Sequence, residues 1–241
     1  MERPEVKCAY CGSDGPLTQE HVFSDWIKGE FGRMESQVAS LPGKPLQSIL
    51  KEKDVCAACN NGPLSVLDNY AKSLNLHDPD ACRQPFTIQR DRLARYVLKC
   101  AYNNARNVRR LADAPTPDMV STAEAISRFA TFIRRGTEQP FPIDLLAAEF
   151  TFTKTVAAGS IDIQDSWGCV VFNAILFLGW GCVLIVGWRD GTQEIYRRDI
   201  RRGLCEQLNA LWVRDENMRL NLKQLTPSAA RLPDGTVLPR T

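Results

Sequence analysis

Cys8-Ala9-Tyr10-Cys11-Gly12 and Cys56-Ala57-Ala58-Cys59-Asn60 decide how this chain begins to fold. Each is a Cys-x-x-Cys knuckle, a spacing that places two thiolates on one ion, and two such pairs complete the tetrahedron that structural zinc prefers. Four buried free thiols are the plainer alternative, but unrelated cysteines rarely fall into two matched pairs. A thioredoxin-like redox role is weaker still, because no strand-helix context of that kind surrounds either knuckle. The 44 residues between Cys11 and Cys56 exceed what a simple zinc ribbon needs, so the loop is expected to carry function.

Inside that loop lies Leu17-Thr18-Gln19-Glu20-His21-Val22-Phe23, and His21 is one of only two histidines in 241 residues. A lone histidine is usually an ordinary surface or core residue. Here a carboxylate precedes it and a cysteine pair flanks it on each side. In this combination the chain resembles the HNH endonucleases, the His-Me finger or ββα-metal nucleases, in the sub-group with the pattern Cys-x-x-Cys, Thr-x-Glu-His, Cys-x-x-Cys-Asn. Cys8, Cys11, Thr18, Glu20, His21, Cys56, Cys59 and Asn60 carry the resemblance, which covers about residues 6 to 70.

The resemblance implies that His21 is the general base for an attacking water, and that Glu20 and Asn60 bind one catalytic Mg²⁺ or Mn²⁺ through oxygen. Phosphodiester hydrolysis asks for such a pair of agents, an imidazole titrating near neutrality and a cation beside the developing charge. Zinc closed in by Cys8, Cys11, Cys56 and Cys59 has no open position for that work, so its role is structural. Three positions depart from the family pattern. Ser24 stands where many relatives have proline, the middle asparagine is not evident in Leu50-Lys51-Glu52-Lys53-Asp54, and Asn60 replaces a terminal histidine. Another group, such as a backbone carbonyl, must then fix the His21 ring. Asn61 and Asp68 are read as ordinary helix residues, a cap and a solvated or helix-pairing carboxylate, and His77 as a helix-end residue.

Outward from this segment, composition is that of a globular protein: 44% apolar and 24% charged, which sets aside a wholly disordered chain, collagen and coiled coil. The opening MERPEVKCAY is polar and charged, unlike a secretory signal. With nine cysteines this suggests a reducing, cytoplasmic setting in which the remaining thiols are buried. Charge is uneven: residues 1–81 hold 8 Lys+Arg against 12 Asp+Glu (net −4), residues 82–135 hold 11 against 4 (net +7), and residues 136–241 hold 11 against 12 (net −1).

Much of the positive segment is expected to be one helix, Arg90 to Leu111. At about 100° per residue it sets Arg92, Arg95, Lys99, Arg106, Arg109 and Arg110 on one face, opposite Leu93, Val97, Cys100, Ala101 and Val108. A solvated outer face is the ordinary reading of such a run. Six cations with Asp91 alone at the edge suggest instead contacts to successive phosphates without base readout. Arg134-Arg135, Arg197-Arg198 and Arg201-Arg202 could extend that surface.

Trp167 to Trp188 is 22 residues without a charge, long enough to span a bilayer as a helix. Gly179-Trp180-Gly181 interrupts it, and both halves are rich in strand formers, so two buried strands joined at the glycines are expected. Arg189-Asp190-Gly191-Thr192 followed by Glu194-Ile195-Tyr196 reads as a further hairpin. A helix after Pro63 to about Leu76, a helix over Ser121–Arg135 capped by Ser121 and Glu124, strands from Phe150 to Tyr196, a helix over Ile200–Val213 and a tail from Thr226 complete the outline. Trp167, Trp180, Trp188 and Trp212 are expected in the core.

The chain thus reads as α+β: a zinc-stabilised ββα-metal finger over residues 1–81, then an α+β domain with a basic helix and an antiparallel sheet over 82–241 for substrate positioning or dimerisation. The expected activity is DNA hydrolysis, with RNA left open, no membrane partner, and a homodimer because one finger carries one active site. The rival reading is a zinc-stabilised nucleic-acid-binding module that does not cut.

Overall fold

The computed structural model describes residues 7–27, 51–76, 78–82, 84–111, 117–149, 156–159, 163, 165–178 and 181–220. His77, the stretch 28–50 and the tail from 221 lie outside the described residues, and so does Trp180.

Strand β1 (Leu17–His21) pairs antiparallel with β2 (Lys51–Cys56), in a register that sets Leu17 opposite Cys56 and His21 opposite Lys51, with an irregularity between Thr18 and Glu20. The second knuckle continues β2 directly into a helical turn, α1 (Ala57–Cys59), and a wide turn over Asn60–Leu64. Gly62 there leaves helical geometry (φ −101°, ψ −108°), and Pro63, which has no N–H to donate, starts the chain in a new direction. Helix α2 (Ser65–Ser73) follows and buries Leu67, Tyr70 and Ala71, the i, i+3, i+4 set of one face. The order strand, strand, helix is therefore present around the cysteines.

After a short helix α3 (Pro79–Cys82), β3 (Phe86–Gln89) pairs antiparallel with β9 (Asn217–Leu220). Helix α4 (Arg90–Leu111) occupies the span expected of it, about 33 Å at 1.5 Å per residue. Its environment is not the expected one. Leu93, Ala94, Tyr96, Val97, Leu98, Lys99, Cys100, Ala101, Tyr102, Asn103 and Asn107 are all buried, so its middle is covered on every side. Leu67 and Tyr70 of α2 and Val183 and Ile185 of the large sheet join α4 residues in one apolar cluster, which runs across the anticipated boundary at residues 81 and 82.

Helices α5 (Pro117–Ser127) and α6 (Ala130–Arg135) replace the single helix expected over 121–135. Pro117 opens α5, a first-turn position that suits its fixed φ, so Ser121 lies inside the helix and not at its start. The five-stranded antiparallel sheet runs in the order β5-β6-β7-β4-β8, from β4 (Ile143–Glu149), β5 (Val156–Gly159), β6 (Val170–Leu178), β7 (Gly181–Trp188) and β8 (Leu211–Trp212). The uncharged run is the β6-β7 hairpin, with Leu178 opposite Gly181. No helix among the described residues is long and apolar enough to cross a membrane.

Every residue of β7 is buried, because both sheet faces are covered. Val183 and Ile185 join the α4 side, while Cys182, Leu184, Val186 and Trp188 meet Ile200 and Leu204 of α7 (Glu194–Leu208) on the other. Gly187 is required by contact: a Cβ there would lie 2.1 Å from the Phe172 ring. The turn at Arg189–Thr192 forms, with Gly191 at φ 77°, but it feeds α7 and not a further strand. Helix α7 accordingly starts earlier than Ile200 and stops at Asn209, whose left-handed φ of 49° ends it. Arg201 lies under this layer, bonded to Asp144 and Glu194 at 2.8 Å each and stacked 3.6 Å from the Trp212 ring. It therefore adds nothing to an outer basic surface. Trp167 is 55% exposed, contrary to its expected place in the core, and leans on Tyr196 with ring centroids 5.1 Å apart.

Candidate functional site

The four sulfurs of Cys8, Cys11, Cys56 and Cys59 lie within 4.8 Å of one another, Cys11 and Cys56 at 3.7 Å. Zinc–sulfur bonds of about 2.3 Å at tetrahedral angles put sulfurs about 3.8 Å apart, so the four are close enough for one zinc ion to draw together. Backbone geometry builds it. Gly12, at φ 70°, closes the first knuckle with Gly12 N–H donating to the Cys8 carbonyl at 2.8 Å. Ala9 N–H donates to the Asp54 carbonyl at 2.8 Å and Cys56 N–H to the Cys8 sulfur at 3.3 Å, which lock that knuckle to β2.

The thiols differ in acidity. The Ser13 hydrogen bond draws Cys11 down to about 6, despite partial burial. Burial opposes ionisation of Cys56, but hydrogen bonds, first from Cys59 and then from Ser13, outweigh it and lower its value. Cys59 is pushed well up, first by burial and then by the sulfurs around it. Four crowded sulfurs with one of them resisting ionisation suit a cation at their centre, since a metal supplies the positive charge that permits four thiolates together.

Comparison with protein-family models, with curated proteins and with solved structures finds no match for this chain.

Adjacent strand residues face opposite ways, and the Glu20-His21 pair in β1 is divided accordingly. His21 keeps 25% of its side chain exposed, with Nε2 3.5 Å from Asp25 Oδ1, a carboxylate that is 69% exposed. Glu20 turns inward and is buried, its Oε1 2.7 Å from Lys99 Nζ. Lys99 is wholly buried and also donates to Asp68 Oδ1 at 2.6 Å; the same oxygen accepts from Ser24 Oγ at 2.6 Å. Burial would lower the Lys99 pKa, but Asp68 and Glu20 together raise it, so the ammonium stays charged. Burial raises the Glu20 pKa in spite of Lys99. The carboxylate expected to meet a catalytic ion is thus occupied by an internal cation, and Asp68, read from sequence as an ordinary helix residue, is the third member of that cluster.

Asn60 donates through Nδ2 to Thr18 Oγ1 and to the Gln19 carbonyl, both at 3.0 Å, and Thr18 Oγ1 donates to the Val55 carbonyl at 2.8 Å. The amide nitrogen is spent on β1, and among the described residues no donor is bonded to the Asn60 oxygen. Asn103 of α4 donates to the His21 carbonyl at 2.9 Å while accepting from Tyr10 Oη at 2.6 Å and Arg106 Nη2 at 2.8 Å. It fastens the backbone of His21 from the core side. No signal near residues 50–54 could have found it, because it lies 82 positions from His21 in sequence.

The cations of α4 are largely spent inside the protein. Arg95 donates to the Ile133 and Arg134 carbonyls at 2.9 and 3.0 Å. Arg106 lies over the Tyr102 and Tyr10 rings at 4.3 and 5.2 Å, with Asp54 Oδ2 3.2 Å away. Arg92 is exposed, 6.0 Å over the Tyr70 ring. The side chains of Arg109 and Arg110 lie outside the described residues. Of the phosphate-binding face expected of Arg92, Arg95, Lys99, Arg106, Arg109 and Arg110, Lys99 is buried, and Arg95 and Arg106 are half-buried and bonded within the protein, because α4 is packed on both flanks.

Proposed function

We propose that this chain is a zinc-stapled, metal-dependent endonuclease of the HNH type acting on DNA. The observation that carries the reading is the placement of His21. It ends the first strand of a strand-strand-helix unit whose helix start is tied back to that strand by Asn60, with four sulfurs at zinc spacing beneath. A zinc ion held by Cys8, Cys11, Cys56 and Cys59 would staple the two knuckles and, having no open position, would leave the reaction to other groups.

His21 accepts the proton of the attacking water. The Asp25 carboxylate, 3.5 Å from its Nε2, orients the ring as an acid does in other histidine bases. Asn103 holds the His21 backbone, the task left vacant by the missing middle asparagine. A hard divalent ion such as Mg²⁺ or Mn²⁺ would supply charge stabilisation at the scissile phosphate. Asn60 Oδ1 is the oxygen donor this chain offers it most directly; Glu20 serves it only by parting from Lys99. One or two protein oxygens suffice for such an ion when substrate phosphates complete its shell. One site per chain nicks one strand at a time, so a double-strand break takes two chains or two visits, and a homodimer would supply the two chains.

The test is zinc-loaded protein with supercoiled plasmid and Mg²⁺. Nicking that disappears on chelation of Mg²⁺ and in His21→Ala, with zinc content unchanged, is expected. A gel shift without nicking would assign the chain to the non-cutting binding modules instead.

A further inference from the structure

Beside the cysteine cluster lies a cleft of about 460 Å³ whose walls include Cys11, Ser13, Cys56, Cys59, Arg134 and Arg135. No Asp or Glu is among its described lining residues. We propose that this cleft seats the phosphodiester backbone of a DNA duplex, with Arg134 and Arg135 as the contacting cations; the identity of the ligand rests on the nuclease reading above.

Three observations support it. Cations in the last turn of a helix commonly serve that helix's own terminal carbonyls. At the end of α6 that task is done by Arg95, which reaches across to the Ile133 and Arg134 carbonyls, so the charges of Arg134 and Arg135 are left for another purpose. Arg134 Nε is buried and has no hydrogen-bond partner among the described residues, while Arg135 is exposed at the cleft. A donor without a partner leaves that guanidinium able to turn toward an acceptor brought by a ligand. Finally, the sulfurs draw their hydrogen bonds from Ser13 and the Cys56 amide, and no arginine donates to them among the described residues. A zinc ion with four thiolates carries a double negative charge that would repel phosphate. Two guanidinium groups in the lining of the same cleft offset it, and their planar forks match phosphate oxygens.

The experiment uses the full zinc-loaded chain carrying His21→Ala, so that DNA stays intact, and follows a fluorescent duplex by anisotropy between 50 and 200 mM salt. Each phosphate contact contributes about 0.9 to the slope of log affinity against log salt. Arg134→Gln/Arg135→Gln should therefore flatten that slope by about 1.8, so that over this fourfold change the parent chain loses roughly twelvefold more affinity than the variant. Arg135→Gln alone, at an exposed position that folding does not need, should flatten it by about half as much. Arg198→Gln/Arg202→Gln removes the same charge from exposed positions on α7 and should leave the slope as it was.

An unchanged slope in the cleft variants, or an equal drop in the α7 control, overturns the assignment. Loss of zinc from the double variant overturns it too, since the guanidiniums would then be serving the sulfurs. Displacement of the duplex by inorganic phosphate at matched ionic strength would show a site for a small free anion and would equally refute a backbone cleft. Because binding is read in the His21→Ala chain, failure of the catalytic reading is seen separately, as absence of nicking by the parent protein.

Discussion

Replacing Lys99 by methionine keeps most of the side chain's bulk and removes the one charge that holds Glu20 and Asp68 together beneath β1. Taking one partner from a buried ion pair costs roughly 3–5 kcal/mol, because the other is left charged in a poor solvent. Glu20, with 4% of its side chain exposed, carries most of that penalty. Asp68, at 25%, is reached by water and contributes less. A loss of about 3 kcal/mol is therefore expected, or about 6–12 °C in Tm for a chain of this size.

The assay is equilibrium urea unfolding and thermal melting of the zinc-loaded protein at neutral pH, comparing wild type, Lys99→Met and Lys99→Met/Glu20→Gln. The double variant should recover part of the loss, since a neutral amide is cheaper to leave buried than a carboxylate. The sign with pH is fixed by the raised Lys99 pKa: its contribution is whole below the unfolded value of about 10.4 and fades as pH climbs through the higher folded one. Wild type should therefore weaken above about pH 10.4 by a component that Lys99→Met lacks. A single variant within about 1 kcal/mol of wild type, or a double variant no better than the single, would refute the account of this cluster.

Asn103→Ala should reduce nicking well beyond its effect on Tm, by letting the His21 backbone drift; cleavage rates at a temperature where the variant is fully folded check this. Cys59→Ser should lower bound zinc, measured by elemental analysis, from one ion per chain toward none and open the first 76 residues to protease. Acidification should release the metal as the thiolates take up protons, followed with a colorimetric chelator. Gly187→Ala should destabilise by about 2 kcal/mol or more, because the added methyl meets the Phe172 ring and one of the two must move; urea unfolding reads it.

The span of α4 and the β6-β7 hairpin were legible because hydrophobic periodicity, strand formers and the glycine break are local signals. The sulfur cluster was legible too, from two matched spacings. The surroundings of α4 were not. A helical projection separates apolar from polar residues, but it does not tell that Glu20, Asp68 and Asp54 wait on the polar side. Lys99 and Arg106 therefore looked like surface cations, and their partners lie 31 to 79 positions away along the chain. Asn103 escaped for the same reason. Asp190-Gly191 misled in another way, since the tight turn that serves a hairpin serves equally the entry to α7.

Helix α4 packs against both the four-cysteine unit and the large sheet. Anyone grafting the first 81 residues onto another scaffold would carry away the sulfurs and the imidazole but abandon Lys99, Asn103 and Arg106, which sit behind them. The four-cysteine unit shares its rivet with the sheet, and a cassette built from that unit alone should arrive loose.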